Sequence, residues 1–139
     1  MNLDKFREDI ARDEGLRLKP YTDTVGKITI GYGRNLDDKG ITQREADYLR
    51  EDDIADVQLE LDNKLRWWRD QPEHVQRGLA NLCYQIGISG LLKFEKMLNA
   101  LEVKDYNKAR IEALDSLWAK QTPERAKRVA SLFTDSVDV

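Results

Sequence analysis

The chain has 139 residues, which is the length of one domain, with 40% hydrophobic and 35% charged residues. Its formal net charge of −3 gives no general electrostatic reason to bind nucleic acid or an anionic membrane surface. A single cysteine excludes an internal disulfide, a single histidine argues against a transition-metal cluster, and no apolar run reaches the roughly 20 residues that span a bilayer.

The first predicted element is a short helix, because Leu3, Phe6 and Ile10 recur at helical spacing. Gly15 is the residue type that ends a helix. Glu14 falls on the same face as the apolar residues, so we expect it to be partly desolvated. It also lies at the helix C-terminus, where the macrodipole disfavours an anion. Both effects favour a protonated carboxyl, as a general acid requires, although a glutamate at the solvent edge of the helix fits the same spacing.

Residues 16–32 change to an alternating pattern that predicts a small antiparallel hairpin or three-stranded sheet. If Ile28 and Ile30 are buried in this sheet, the residue between them points away from that core. Gly31 and Gly33 allow tight turns and close backbone approach.

Asp23 and Thr29 lie in the turn and strand of this sheet. Turns favour aspartate for backbone hydrogen bonding, so Asp23 has a structural interpretation as well as a catalytic one. Two carboxyls in different environments, Glu14 and Asp23, are what a glycosidase needs. The hydroxyl of Thr29 could hold the water that the second carboxylate activates.

The rest of the chain has helical periodicity. The letters TQRE at residues 42–45 form a capping box that opens a helix of more than 20 residues. Beyond Pro72, one apolar helical stripe ends at Gly87, and Thr122 followed by Pro123 begins a later helix.

These patterns predict a single α+β domain over residues 1–139. A small β-containing N-terminal lobe is expected near 13–60, joined by the long helix to a helical lobe near 61–139. Residues 3–13 are expected to pack on the C-terminal lobe.

Four other residues have structural interpretations. Trp67 and Trp68 are expected to anchor packing rather than to stack on sugar rings. Cys83 lies among apolar neighbours, which predicts a buried thiol. His74 is expected on the surface at a helix start.

The stretch DEGLRLKPYTDTVGKITIGYGRNL resembles the catalytic segment of phage-type lysozymes, the endolysin muramidases of glycoside hydrolase family twenty-four. The family pattern is a glutamate, an aspartate nine residues later and a threonine six residues after that, in a TIG strand. Glu14, Asp23 and Thr29 match all three positions. The resemblance implies a lysozyme-like fold with Glu14 as general acid, Asp23 as second carboxylate and Thr29 as a water-positioning hydroxyl.

Two later segments extend the resemblance. NLCYQIG at 81–87 is similar to the family's central helix, which implies that Gln85 contacts substrate. LWAKQTPERAKRV at 117–129 is similar to another family segment, which implies that Arg125 lies near Glu14 as a charge partner.

The chain departs from the familiar family pattern after the TIG strand, where the connection RNLDDKG is short. We carry no cleft residue over from the longer family insertion. Arg34 stands where a familiar member has a histidine paired with an aspartate, and Asp53 is the matching aspartate. An Arg34–Asp53 pair is therefore a hypothesis.

The resemblance implies a muramidase that hydrolyses the β-1,4 bond between N-acetylmuramic acid and N-acetylglucosamine, with inversion and without a metal or cofactor. A lytic transglycosylase, which requires only the acid, is the close alternative. A non-catalytic wall-binding or phage structural module is an alternative of another class.

The first residues, MNLDKFREDIARDEG, contain no apolar signal core. We therefore expect synthesis in the host cytoplasm and action on peptidoglycan in the periplasm, after a holin-like protein permeabilises the membrane. We expect a monomer that binds no nucleic acid and does not associate stably with a membrane.

Overall fold

The computed structural model describes residues 1–134, which fall into two compact units, residues 1–49 and the residues from 50 onward. In chain order the described elements are α1 Leu3–Glu14, β1 Arg17–Thr22, β2 Ile28–Gly31, β3 Arg34–Asn35, α2 Gln43–Lys64, a 3-10 turn Trp68–Asp70, α3 Glu73–Leu92, α4 Glu95–Glu102, α5 Tyr106–Leu114, α6 Leu117–Gln121 and α7 Pro123–Thr134. This mostly helical arrangement with one small sheet confirms the predicted lysozyme-like α+β class. The packing of residues 3–13 on the C-terminal lobe stays a prediction.

Helix α1 is capped at both ends. The side chain of Asn2 accepts a hydrogen bond from the amide of Lys5 at 3.0 Å, which satisfies one of the free amides of the first turn. Gly15 has a φ of 70° and donates its amide to the carbonyl of Ala11 at 3.0 Å. The predicted end of the helix at this glycine is confirmed.

The expected burial of Glu14 is wrong. Its side chain is exposed, and no residue of α1 is buried. Phe6, one of the apolar residues on the same face, remains 46% exposed. Within the first unit, the apolar stripe of α1 therefore does not cover the carboxyl.

The sheet is antiparallel in the order β1–β2–β3, as the alternating pattern predicts. Thr29 lies in the central strand, opposite Tyr21 on one side and Asn35 on the other. The expectation that burial belongs to the isoleucines is wrong, because Thr29 is 3% exposed whereas Ile28 is 44% exposed. Residues paired across neighbouring strands share a face, so the Tyr21 and Asn35 side chains flank the threonine.

Helix α2 runs for 22 residues, Gln43–Lys64, and confirms the predicted long helix. The capping box forms as expected: the Glu45 amide donates to Thr42 Oγ1 at 3.2 Å, and the Thr42 amide donates to Glu45 Oε1 at 2.9 Å. The apolar stripe of α2 is buried only in its later part, where Val57 and Leu61 lie in the core.

The hydrophobic core of the second unit combines the end of α2 with α3, α4, α5, α6 and α7. Its largest fully buried side chains are Phe133, Leu61, Leu79, Leu82, Leu91, Met97, Leu101, Val75 and Val129. Gly78 lets α7 approach α3 closely, since a β-carbon there would lie 2.7 Å from the ring of Phe133. Gly87 interrupts the helical backbone of α3 with a φ of 79°, at the position where the sequence predicted an end.

Trp68 and Cys83 occupy the core as expected. Trp68 is 4% exposed and donates its Nε1 hydrogen to Asp62 at 2.7 Å. Cys83 is 2% exposed, and burial, with the nearby charge of Glu60, raises the pKa of its thiol to about 11. Within residues 1–134, the helices are all too short or too polar to span a lipid bilayer.

Candidate active site

Glu14 is the last residue of α1, and its carboxyl lies against the backbone of Gly33. A β-carbon built at Gly33 would be 2.6 Å from Oε2 of Glu14 and 3.0 Å from its Cδ. Gly33 also has a φ of +77°, a conformation that L side chains rarely adopt. Glycine at this position therefore allows a contact that any side chain would block, and the close approach predicted for Gly33 is confirmed.

Asp23 is fixed by the turn that joins β1 to β2. Its Oδ1 accepts hydrogen bonds from the amides of Val25 at 3.0 Å and Lys27 at 2.8 Å. Its own amide donates to the carbonyl of Lys27 at 2.8 Å, and its carbonyl accepts from Gly26 at 3.1 Å. Oδ2 has no hydrogen-bond partner among residues 1–134. The carboxylate is thus held through one oxygen while the other stays available to water.

Thr29 is connected to Asp23 through the peptide groups of Lys27. The hydroxyl of Thr29 donates to the carbonyl of Lys27 at 3.0 Å, and the same carbonyl accepts the amide of Asp23. The hydroxyl proton is therefore committed to the backbone, whereas the lone pairs of Oγ1 accept no hydrogen bond from residues 1–134. The structure joins Asp23 in the turn and Thr29 in β2 through the carbonyl of Lys27.

Arg34 forms its ion pair with Glu45, where the sequence suggested Asp53. Nη1 donates to Oε1 and Nη2 lies against Oε2, each at 2.9 Å, and Nη1 also donates to the carbonyl of Gly40 at 3.1 Å. Hydrogen bonds from Arg34, and then from the amide of Thr42, lower the pKa of Glu45 to about 2. Sequence reasoning missed this pairing, although the capping box had already placed Glu45 at the start of α2.

Gln85 and Arg125 lie in the second unit, where each has a local partner. Oε1 of Gln85 accepts a hydrogen bond from Nε1 of Trp118 at 2.8 Å. Nε of Arg125 donates to Oδ1 of Asn81 at 2.9 Å. The expected substrate contact of Gln85 and the expected proximity of Arg125 to Glu14 stay predictions.

The chain is similar to known proteins along most of its length. A family model described as "Phage lysozyme" matches residues 11–134. The matched range contains the three candidate residues Glu14, Asp23 and Thr29 as well as the two candidates of the second unit.

Individual relatives include one phage structural protein and two proteins with lysozyme or endolysin names. The chain is 34% identical over 91% of its length to the pre-baseplate central spike protein Gp5 of Enterobacteria phage T4, but it spans only 27% of that protein. It is 29% identical to probable T4-type lysozyme 2 of Dictyostelium discoideum, with 94% of each chain covered. It is 33% identical to the endolysin of Acyrthosiphon pisum secondary endosymbiont phage 1, over 80% of this chain and 75% of the endolysin. The chain therefore belongs to the phage lysozyme family of glycoside hydrolases.

Proposed function

We propose that this chain is a muramidase that hydrolyses the β-1,4 bond between N-acetylmuramic acid and N-acetylglucosamine in peptidoglycan. The observation that carries the proposal is the arrangement of Asp23, which is held through Oδ1 and whose Oδ2 makes no hydrogen bond within residues 1–134. Glu14, an exposed carboxyl in the same unit, supplies the second group that glycoside hydrolysis needs.

The two carboxyls divide the reaction between them. Glu14 donates a proton to the glycosidic oxygen as the bond from that oxygen to the anomeric carbon breaks. Asp23 accepts a proton from the water that attacks the same carbon, so that one water is consumed for each bond cleaved. The oxygen of Thr29 accepts a hydrogen from this water and orients it. We propose that attack on the opposite face inverts the anomeric carbon.

Replacement of the acid tests this assignment. Glu14→Gln should lower the rate of clearing of a cell-wall suspension by about 10²–10⁴-fold, because it removes the proton donor. Glu8→Gln is a matched control, since Glu8 is an exposed glutamate on the same helix. A Glu14→Gln variant that clears walls as fast as the wild type would show that Glu14 is not the acid.

The products distinguish hydrolysis from the lytic transglycosylase alternative. Hydrolysis leaves reducing N-acetylmuramic acid ends, whereas a transglycosylase leaves anhydromuramyl ends. The roles proposed for Asp23 and Thr29, to accept a proton from water and to orient that water, favour hydrolysis. We expect mass analysis of digested walls to find reducing ends, and anhydro ends in their place would refute the hydrolase.

Similarity to the T4 spike protein supports a second candidate function, a wall-binding or structural module. In that case the wild-type chain would sediment with purified peptidoglycan without releasing soluble fragments. The muramidase proposal instead predicts fragment release that is lost in Glu14→Gln while sedimentation is kept.

We further propose that the chain acts on the cell wall after a holin-like protein has permeabilised the inner membrane. The names of the endolysin relatives support wall action. Expression in a bacterial host should then cause lysis when a holin is co-expressed and not in its absence. Lysis without a permeabilising protein would contradict this requirement.

A further inference from the structure

Arg34 and Glu45 join the short strand β3 to the first turn of α2. Both carboxylate oxygens of Glu45 contact the guanidinium at 2.9 Å, so the pair is two-pronged and fixes the plane of the Arg34 side chain. The third contact, from Nη1 to the carbonyl of Gly40, anchors the same group to the connection between strand and helix. The two side chains are only 28% and 34% exposed, so water screens the pair less than it screens a fully exposed one.

Glu45 is itself held in place by the residue that caps the first turn of α2. Its Oε1 accepts the amide of Thr42, and its own amide donates to the Thr42 hydroxyl. The carboxylate therefore has a fixed position relative to the backbone of α2. It fixes Arg34 through one hydrogen bond and a second nitrogen–oxygen contact, whereas a single flexible charge would make only one contact.

Gly33 immediately precedes Arg34 in the chain and touches the carboxyl of Glu14. A β-carbon on Gly33 would come within 2.6 Å of Oε2, so the backbone here limits where the carboxyl can lie. A single peptide group joins Gly33, which contacts Glu14, to Arg34, which Glu45 holds. A shift of the Arg34 backbone would therefore move the surface against which Glu14 rests.

We propose that Arg34 and Glu45 are positioning residues for the acid Glu14. Their ion pair fixes the backbone at Gly33, which keeps the carboxyl in the orientation that proton donation requires. The inference rests on the proposed function, since it takes Glu14 to be the proton donor. Misplacement of a catalytic group by about 1 Å can cost about 100-fold in rate.

The kinetic experiment compares Arg34→Met and Glu45→Gln with the wild type on soluble, uncrosslinked glycan strands. Each variant should lower kcat by about 10-fold to 100-fold while KM changes less than twofold, because proton donation is impaired and binding is not. The double variant should fall no further than the single variants, since the two residues act as a unit. Arg34→Lys keeps the charge but loses the two-pronged geometry, and it should recover only part of kcat.

Arg69→Met is a matched control in the second unit. Arg69 also contacts one carboxylate, Asp62, through two nitrogens, at 2.7 and 3.2 Å. Loss of the Arg69 guanidinium should lower the free energy of unfolding without changing kcat. If Arg34→Met and Glu45→Gln lower the unfolding temperature yet keep wild-type kcat, the pair only stabilises the fold and the positioning role is wrong.

A spectroscopic measurement tests the positioning without reference to activity. The amide resonance of Gly33 and the side-chain carboxyl carbon of Glu14 should both shift in Glu45→Gln and stay unchanged in Arg69→Met. A wild type that does not cleave walls would refute the proposed function, and these resonances would still decide whether the ion pair positions the carboxyl. Unmoved resonances in a folded Glu45→Gln variant would overturn the inference.

Discussion

Trp118 donates its Nε1 hydrogen to Oε1 of Gln85 at 2.8 Å. The indole is 6% exposed, so this hydrogen bond satisfies a polar group that has little access to water. Gln85 thus has a structural role in the second unit. Its amide nitrogen has no hydrogen-bond partner among residues 1–134, which leaves it able to donate to a sugar.

Two substitutions at Gln85 separate these roles. Gln85→Leu leaves the Trp118 indole without an acceptor and should cost about 1–3 kcal/mol of unfolding free energy. Gln85→Glu keeps an acceptor oxygen for the indole but removes the amide donor, so it should raise KM with little loss of stability. Thermal unfolding and steady-state kinetics on soluble glycan strands measure the two effects. An unchanged KM in Gln85→Glu would show that Gln85 does not donate to substrate.

Substitution of Gly33 should lower activity through its contact with Glu14. Gly33→Ala would place a methyl group 2.6 Å from Oε2, so the carboxyl must move, and we expect at least a tenfold loss of wall clearing. Gly31→Ala is the matched control, because its φ is +70° but a β-carbon there meets nothing within 4 Å. In both variants an alanine must adopt a positive φ, and this backbone strain should lower the free energy of unfolding by about 1–2 kcal/mol. Equal activities of the two would mean that the contact does not matter.

At Asp23, replacement of one carboxylate oxygen by an amide nitrogen separates the structural role from the catalytic role. Asp23→Asn keeps the Oδ1 acceptor for the amides of Val25 and Lys27, so the turn should persist while wall clearing is lost. Asp23→Ala also removes the acceptor, so it should lower the free energy of unfolding by about 1–3 kcal/mol as well as abolish wall clearing. Chemical denaturation and turbidity assays provide the two measurements. Full activity in Asp23→Asn would exclude the carboxylate from catalysis.

Thr29 should tolerate serine better than valine. Serine keeps the hydroxyl that donates to the carbonyl of Lys27 and can still accept a hydrogen from water. Valine has a similar shape but no hydroxyl. The carbonyl of Lys27 would still accept the hydrogen bond from the amide of Asp23. Thr29→Val should therefore fold, but its kcat should be lower than that of the wild type. Comparison of kcat for the two variants checks this, and a fully active Thr29→Val would remove the hydroxyl from the mechanism.

The ionisation of Glu45 should make the free energy of unfolding depend on pH. The hydrogen bonds from Arg34 and Thr42 lower its pKa from 4.5 to about 2 in the folded chain. Because the folded chain favours the ionised carboxylate, Glu45 contributes its full stabilisation above pH 4.5. This contribution is lost as the pH falls toward 2. The difference in unfolding free energy between wild type and Glu45→Gln should therefore shrink over that range. Denaturation at several pH values measures it, with Glu8→Gln as reference, and parallel curves would contradict the prediction.

Local sequence was sufficient to predict several elements. Gly15 ends α1 and the capping box of Thr42 and Glu45 begins α2, because both signals act through backbone groups within four residues. The alternation through residues 16–32 predicted the antiparallel pairing of β1 and β2, which are neighbours in the chain, whereas β3 lies beyond that stretch. Burial of Glu14 could not be judged from periodicity, which tells which residues share a face but not whether anything covers that face.

The sequence by itself determined the α+β class, the end of α1, the starts of α2 and α7, and the matched trio Glu14, Asp23 and Thr29. Only the tertiary structure decided which partners those elements meet. Arg34 pairs with Glu45, whereas Asp53 lies eight residues, or about 12 Å of helical rise, further along α2. An ion pair forms only between side chains that the folded backbone brings within a few ångströms of each other, and such distances between elements are set by packing rather than by local pattern.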